Sequence, residues 1–197
     1  EVAKHFNTEI ISADSRQFYK EMSIGIAKPT EAELQGVSHH FVGHLSVTDY
    51  YNVSRFEQDV LRLLDRLFKK HDYVVMAGGS GLYIDAVCHG IDEFPDADEK
   101  LRAKLNKTLA EQGIEALRQK LKELDPEYYK AVDRNNPKRL MRAIEVCMLT
   151  GKKYSELRKK ESPERDFRIL KIGLNTEREK LFERINRRVD KMIQAGL

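Results

Sequence analysis

The run Tyr73-Val74-Val75-Met76-Ala77 is short and β-branched, ends in Gly78-Gly79-Ser80-Gly81 and passes directly into the apolar stretch Leu82 to Val87. A strand feeding a glycine-rich turn and then a helix is a step of an α/β layer, and it limits the chain to few architectures. Upstream, Thr8-Glu9-Ile10-Ile11-Ser12-Ala13 has the same character and closes in the polar cluster Asp14-Ser15-Arg16-Gln17. Between the two lies a helix. Ser54 and Glu57 form a Ser-x-x-Glu capping box, and Phe56, Val60, Leu63, Leu64, Leu67 and Phe68 recur at helical spacing through Lys70. Strand, helix, strand, glycine turn, helix predicts a parallel sheet, whose ligands bind beyond the carboxyl ends of the strands. Asp14 and Ser80 both belong there. The opening Glu1 to Phe6 reads as the last turns of a helix that stops at Asn7.

From Pro95 the pattern turns purely helical. Leu101, Leu105 and Leu109 are four apart, Gly113 breaks the run, and Ile114, Leu117, Leu121 and Leu124 continue it to Asp125-Pro126. A further helix is expected to start with Asn136 as cap and Pro137 at its first position and to end at Gly151. Strand character returns in Phe167 to Leu174, followed by a Thr176-x-x-Glu179 capping box and a helix with the apolar stripe Leu181, Phe182, Ile185, Val189, Met192 and Ile193. The expected organisation is an α/β core over 1–94, a helical insertion over 95–163, and the core resumed over 164–197.

A chain of 197 residues with 41% hydrophobic residues is long enough for one domain with an inserted subdomain and a real core. Its longest stretch without Asp, Glu, Lys, Arg or His runs from Tyr73 to Ile84, well short of the roughly 18 to 20 apolar residues that span a bilayer. No membrane partner is expected. The two cysteines, Cys88 and Cys147, form no Cys-x-x-Cys pair, which fits a reduced, cytoplasmic protein. Both ends read as cut, since the first helix lacks its beginning and the last helix stops at Gly196.

The net charge of +3 is unevenly placed. Between Arg134 and Lys160 nine Lys or Arg residues face only Glu145 and Glu156, a local +7 that leaves the rest of the chain at −4. Lys138, Arg139 and Arg142 lie at the start of one helix, where the dipole also favours phosphate. A polyanion partner and a merely solvated face both account for such a run. Asp14 is open to a role as general base, metal ligand or turn cap, with the cap favoured when the residue is taken alone, and the Gly-Gly-Ser-Gly turn is open equally to anion binding or close helix packing. His39, His40 and His44 have no carboxylate or cysteine pattern beside them in the sequence, so no metal site is expected there.

Taken in order, Ile11-Ser12-Ala13-Asp14-Ser15-Arg16-Gln17-Phe18-Tyr19, Ile24-Gly25-Ile26-Ala27-Lys28-Pro29, His39-His40-Phe41, Ala77-Gly78-Gly79-Ser80-Gly81-Leu82-Tyr83 and Asn136 to Val146 resemble the tRNA dimethylallyltransferases, also called tRNA isopentenyltransferases. The resemblance implies a P-loop kinase-like α/β core with an all-helical insertion. The activity it implies is transfer of a dimethylallyl group from dimethylallyl diphosphate to the exocyclic amine of the adenine next to the anticodon of certain tRNAs, releasing pyrophosphate. It further implies that Asp14 is the general base. Ser15, Arg16, Gln17 and Ser80 would line the tRNA site beside it, with Ser80 where the family usually has threonine. Arg102 and the segment Lys138, Arg139, Leu140, Met141 and Arg142 would contact the tRNA anticodon stem-loop. Gly43 stands where the family often has aspartate.

The family's Gly-x-x-x-x-Gly-Lys-[Ser/Thr] loop, which holds the diphosphate and Mg²⁺, does not occur in this sequence. Its expected place is upstream of Glu1, so Mg²⁺ is expected in the full-length enzyme, and this piece alone is expected to have little or no activity. Two other functions share parts of the pattern: a nucleotide or nucleoside kinase that turns over ATP, and a non-catalytic RNA-binding relative.

Overall fold

The computed structural model describes residues 1–26, 28–158 and 163–197. Ala27 of the second matching segment, and Lys159 and Lys160 of the basic run, lie outside the described residues. The chain divides into two compact units, Glu1–Ile91 with Ser162–Leu197, and Asp92–Glu161.

The first unit is built on a parallel sheet. Helix α1 (Val2–His5) leads to β1 (Ile10–Ser12), the short α2 (Glu31–Leu34), β2 (His39–His40), α3 (Val53–Leu67), β3 (Val75–Ala77) and α4 (Gly81–His89). The strand order is β2-β1-β3, and β1 pairs in parallel with both neighbours, Ile10 opposite His39 and Val75, Ser12 opposite Ala77. The paired segments are shorter than the apolar runs, because the ladder with the neighbouring strands spans only Ile10 to Ser12, His39 to His40 and Val75 to Ala77. The pleat sends Ile11 and Ala13 into the core and Ser12 to the other face, where its hydroxyl donates to Gln17 Oε1. Phe56, Val60, Leu63, Leu64 and Leu67 of α3 close the core against Phe18 and Val87.

Two predicted features of this unit differ. The α3 cap is Asn52, whose side chain accepts from the Arg55 amide at 2.9 Å, so the chain enters the helix before Ser54 and the Ser54/Glu57 box is not used as a cap. A true capping box sits instead at Thr30 and Glu33 of α2.

Residues 167–174 form no strand. A run of apolar residues is not sufficient without a neighbour whose amides and carbonyls complete the ladder, and this stretch pairs with none of the described strands. Leu170 and Leu174 are 85% and 99% exposed. Helix α9 (Arg178–Gln194) follows, with Glu177 rather than Thr176 at its cap position, and Leu181, Phe182, Ile185, Val189 and Ile193 all remain exposed.

The second unit is helical. It contains α5 (Glu99–Leu124), α6 (Pro126–Ala131), α7 (Pro137–Thr150) and α8 (Tyr154–Leu157). Gly113 takes φ 74° and ψ −177° inside α5, so the expected break is real: the left-handed φ that glycine alone adopts freely splits α5 into two segments. Leu105 from the first segment and Leu117 and Leu121 from the second meet Leu140, Ala143 and Ile144 of α7 in one core. Asp125 is fully buried. It caps α6 through the Tyr128 amide and receives both the amide and the hydroxyl of Ser155, which ties α8 to the unit. Asn136 caps α7 by accepting from the Arg139 amide at 3.2 Å. Asn136→Ala is expected to lower the stability of this unit by about 1 kcal/mol in urea denaturation; an unchanged midpoint would mean the cap is not formed.

His44 packs edge-on against Phe18, Phe41 and Tyr51 while part of its side chain stays exposed. Burial holds its imidazole pKa below the ordinary 6.5, with Asp59 opposing. The unfolded chain therefore takes up this proton first, so the first unit is expected to keep its full stability above about pH 6.5 and lose it as the pH falls below that value. His44→Phe should flatten that loss between pH 7 and 5.5; identical slopes for the two proteins would remove His44 as its source.

Candidate functional site

The site begins with the parallel direction of β1 and β3, which brings both carboxyl ends to one edge. After Ser12 the ladder continues through the Ala13 amide to the Ala77 carbonyl, 2.8 Å, and through the Ser80 amide back to the Ala13 carbonyl, 3.1 Å. Gly78 makes this approach possible. A Cβ there would lie 2.4 Å from the carbonyl carbon and oxygen of Ala13, a distance no side chain tolerates.

The two loops are then tied by hydroxyls. Ser80 Oγ accepts from the Ser15 amide at 3.0 Å and donates to Ser15 Oγ at 3.1 Å. Residues 14–17 form a tight turn closed by the Gln17 amide on the Asp14 carbonyl. Within it, Asp14 Oδ1 accepts from the Arg16 amide at 3.0 Å. Among the described residues nothing donates to Asp14 Oδ2. The carboxylate is thus held by one oxygen and open at the other, which is what a positioned proton acceptor requires.

Asp14, Ser15 and Ser80 are therefore brought together, and Arg16 stands exposed beside them. Gln17 is used internally. Its side-chain amide accepts from Ser12 and donates to the Ile26 carbonyl at 3.3 Å, and its carbonyl accepts from the Gly43 amide. Gln17 thus anchors the segment that ends at Ile26 and the turn at Gly43 to the strand end. Gly43 has φ 59°, and a Cβ there would meet the Lys28 ammonium at 2.6 Å, so aspartate at this position would be strained here.

His40 lies elsewhere, together with His71. Glu9, at the amino end of β1, meets His40 at 2.7 Å and His71 at 3.5 Å, a carboxylate neighbour that the linear sequence did not reveal. It lies at the opposite end of the strand from Asp14. No group of three or more His, Cys, Asp or Glu side chains among the described residues has the disposition of a metal site.

The remaining candidates lie in the helical unit. Lys138 and Arg139 are exposed on the first turn of α7. Leu140 is not at the surface: its side chain is fully buried in the core with Ile144, and Met141 is half-buried against the same cluster. These two apolar side chains support the basic turn rather than present it, because a helix that packs one face on a core must turn some residues of any five-residue segment inward. Arg102 Nη2 and Arg142 Nη1 both donate to Glu145 Oε2, at 2.8 and 2.7 Å. Glu145, on which both arginines converge, is not among the residues the sequence pattern singles out. Its signal was there, as an acid in the basic run three residues after Arg142.

Residues 17–197 match the family model described as IPP transferase. The tRNA dimethylallyltransferase of Christiangramia forsetii is 53% identical over the whole of this chain and 65% of its own length. The tRNA dimethylallyltransferase 1 of Bacteroides thetaiotaomicron is 48% identical over 64% of its length. Among solved structures, a eukaryotic dimethylallyltransferase acting on tRNA is 27% identical with a TM-score of 0.77, matched over 99% of this chain and 48% of that one. The full-length tRNA isopentenylpyrophosphate transferase of Bacillus halodurans is 36% identical with a TM-score of 0.59, covering 60% of that chain. The chain thus spans just under two thirds of the curated relatives it matches. The fold class is that expected from the sequence: a P-loop kinase-like α/β core with an inserted helical part.

Proposed function

Because the chain belongs to the IPP transferase family, we propose that it carries the acceptor side of a tRNA prenyl transfer. The exocyclic nitrogen of the adenine next to the anticodon attacks the first carbon of dimethylallyl diphosphate. The carbon–oxygen bond breaks with its electrons going to pyrophosphate, and Asp14 takes the proton that nitrogen must lose. An aromatic amine is a poor nucleophile, and a carboxylate within hydrogen-bond reach stabilises the positive charge that develops on nitrogen.

The observation that carries this reading is the half-committed carboxylate: Asp14 is fixed through Oδ1 by the Arg16 amide and open at Oδ2, at the carboxyl end of the central strand. The Ser15 and Ser80 hydroxyls beside it suit the base and ribose of an extruded nucleotide. Exposed Arg16, Arg102, Lys138 and Arg139, with partly exposed Arg142, suit the phosphates of the anticodon stem-loop. The described residues do not fit the Mg²⁺ that the family implies, since Asp14 is the sole carboxylate in the two strand-end loops. In the full-length protein Mg²⁺ is expected with the diphosphate donor. No described helix is long and apolar enough to cross a membrane, and two free cysteines whose thiol pKa burial pushes up suit the cytoplasm.

The test is to incubate full-length protein with tRNA and labelled dimethylallyl diphosphate. Label is expected to appear in the tRNA, on the adenine next to the anticodon, with release of pyrophosphate. Turnover of ATP with no label in the tRNA would replace this reading by the kinase one.

A further inference from the structure

We propose that Glu145 is the positioning residue that sets Arg102 and Arg142 as a preformed grip on an RNA phosphate. The proposal rests on the tRNA reading above and deepens it. Arg102 comes from the first turn of α5 and Arg142 from the second turn of α7, and the two guanidinium groups converge on one atom, Glu145 Oε2. Glu145 is 1% exposed, whereas the Arg102 and Arg142 side chains are 47% and 32% exposed. The anion is inside and the cations face out. Arg142 is fixed further by Nη2 donating to the Pro95 carbonyl at 2.8 Å, with its guanidinium 6.0 Å from the centre of the Phe94 ring.

A pair kept for stability alone would be built otherwise. A carboxylate bound for strength uses both oxygens in a bidentate pairing. Here one oxygen serves both arginines, and the buried Oε1 has no hydrogen-bond partner among the described residues. A buried ion pair seldom outdoes apolar packing of the same volume, and an orphan buried acceptor subtracts further from its worth. What the arrangement supplies is orientation. Two long side chains that would otherwise lose rotamer freedom on binding are fixed before the ligand arrives. Two guanidinium groups against one carboxylate leave a single positive charge, and the Arg102 nitrogens not bound to Glu145 have no acceptor among the described residues. A phosphate oxygen pair is the ligand whose charge and fork geometry match.

The test compares full-length wild type with Glu145→Gln for binding to a tRNA anticodon stem-loop and to a single-stranded homopolymer of equal length, across several salt concentrations. Glu145→Gln makes the protein more positive, so general electrostatics predicts tighter binding to both. The positioning role predicts opposite signs: stem-loop affinity falls about tenfold, while homopolymer affinity holds or rises. The slope of log K against log salt for the stem-loop should also shrink by up to about 1, the loss of one phosphate contact. If wild type does not prefer the stem-loop, the tRNA reading fails and this proposal with it. If wild type prefers it and Glu145→Gln binds it as tightly or more tightly, the positioning role alone fails. Should circular dichroism show Glu145→Gln unfolded, Glu145→Asp decides, since it keeps the charge and withdraws it by one methylene: a folded Asp variant with wild-type stem-loop affinity overturns the proposal, and a several-fold loss supports it.

Discussion

Replacing Asp14 by alanine is expected to lower the single-turnover rate of prenyl transfer in the full-length protein by at least about 10²-fold, the usual scale for a general base and equivalent to about 2.7 kcal/mol of barrier. Affinity for tRNA should stay within a few fold. The split follows from where the side chain sits: Asp14 spends one oxygen on the Arg16 amide and offers the other to a single proton, whereas affinity for RNA comes mainly from cations on phosphates. The turn itself should survive, because the Gln17 amide on the Asp14 carbonyl and the Ser15 to Ser80 bonds do not need the carboxylate. A rate near wild type under single-turnover conditions would remove Asp14 from the role of base. A large loss of tRNA affinity with little change in rate would make it a binding residue instead.

What the sequence made legible, and what it did not, follows the range of the interaction concerned. The helices α3, α5, α7 and α9 could be read because their periodicity is local, and in α5 and α7 the punctuation could be read as well: Asn136-Pro137 opens α7 and Gly151 closes it, and Gly113 breaks α5 where the leucine spacing falters. The strand-end placement of Asp14 and Ser80 was legible for a related reason, since two apolar runs ending in polar loops can join a parallel sheet in only one sense. Contacts between distant segments were not legible. Glu9 meets His40 across 31 residues, and Arg102 meets Glu145 across 43. Nor does a pattern of alternation say whether a strand will find a partner. Residues 167–174 are rich in apolar residues, yet only Phe167 packs on the core and Ile169, Leu170, Ile172 and Leu174 lie exposed, while His39–His40, with no pattern at all, pairs with β1 because the chain between them brings it alongside. Leu140 and Met141 show the same limit on a smaller scale. A motif read as a string places five residues in one site, but a helix with one face on a core gives Lys138, Arg139 and Arg142 to the surface and keeps Leu140 for itself.

Gly78→Ala is expected to show how far the chemistry depends on this backbone contact. The added methyl would sit 2.4 Å from the Ala13 carbonyl, so strands β1 and β3 must part at their carboxyl ends. Backbone atoms on both sides leave no flexible side chain to give way. The bonds first strained are the Ala13 amide on the Ala77 carbonyl and the Ser80 amide on the Ala13 carbonyl, and both lie next to Asp14. Overpacking of this kind costs about 1–3 kcal/mol, which urea denaturation should register in the first unit while the helical unit is unaffected. The rate should suffer more than the stability. Ser80 rides on the displaced loop, and a shift of about 1 Å between groups that hold the reacting atoms is enough for a 10²-fold loss. The expected signature is therefore a folded protein with tRNA affinity near wild type, a modestly lowered denaturation midpoint and a rate reduced on the scale of Asp14→Ala. Combining the two substitutions should cost little beyond either one, since both disable the same proton transfer. Additive losses in the double variant would mean that Gly78 and Asp14 act on different steps, and the strand-end contact would then be a matter of stability alone.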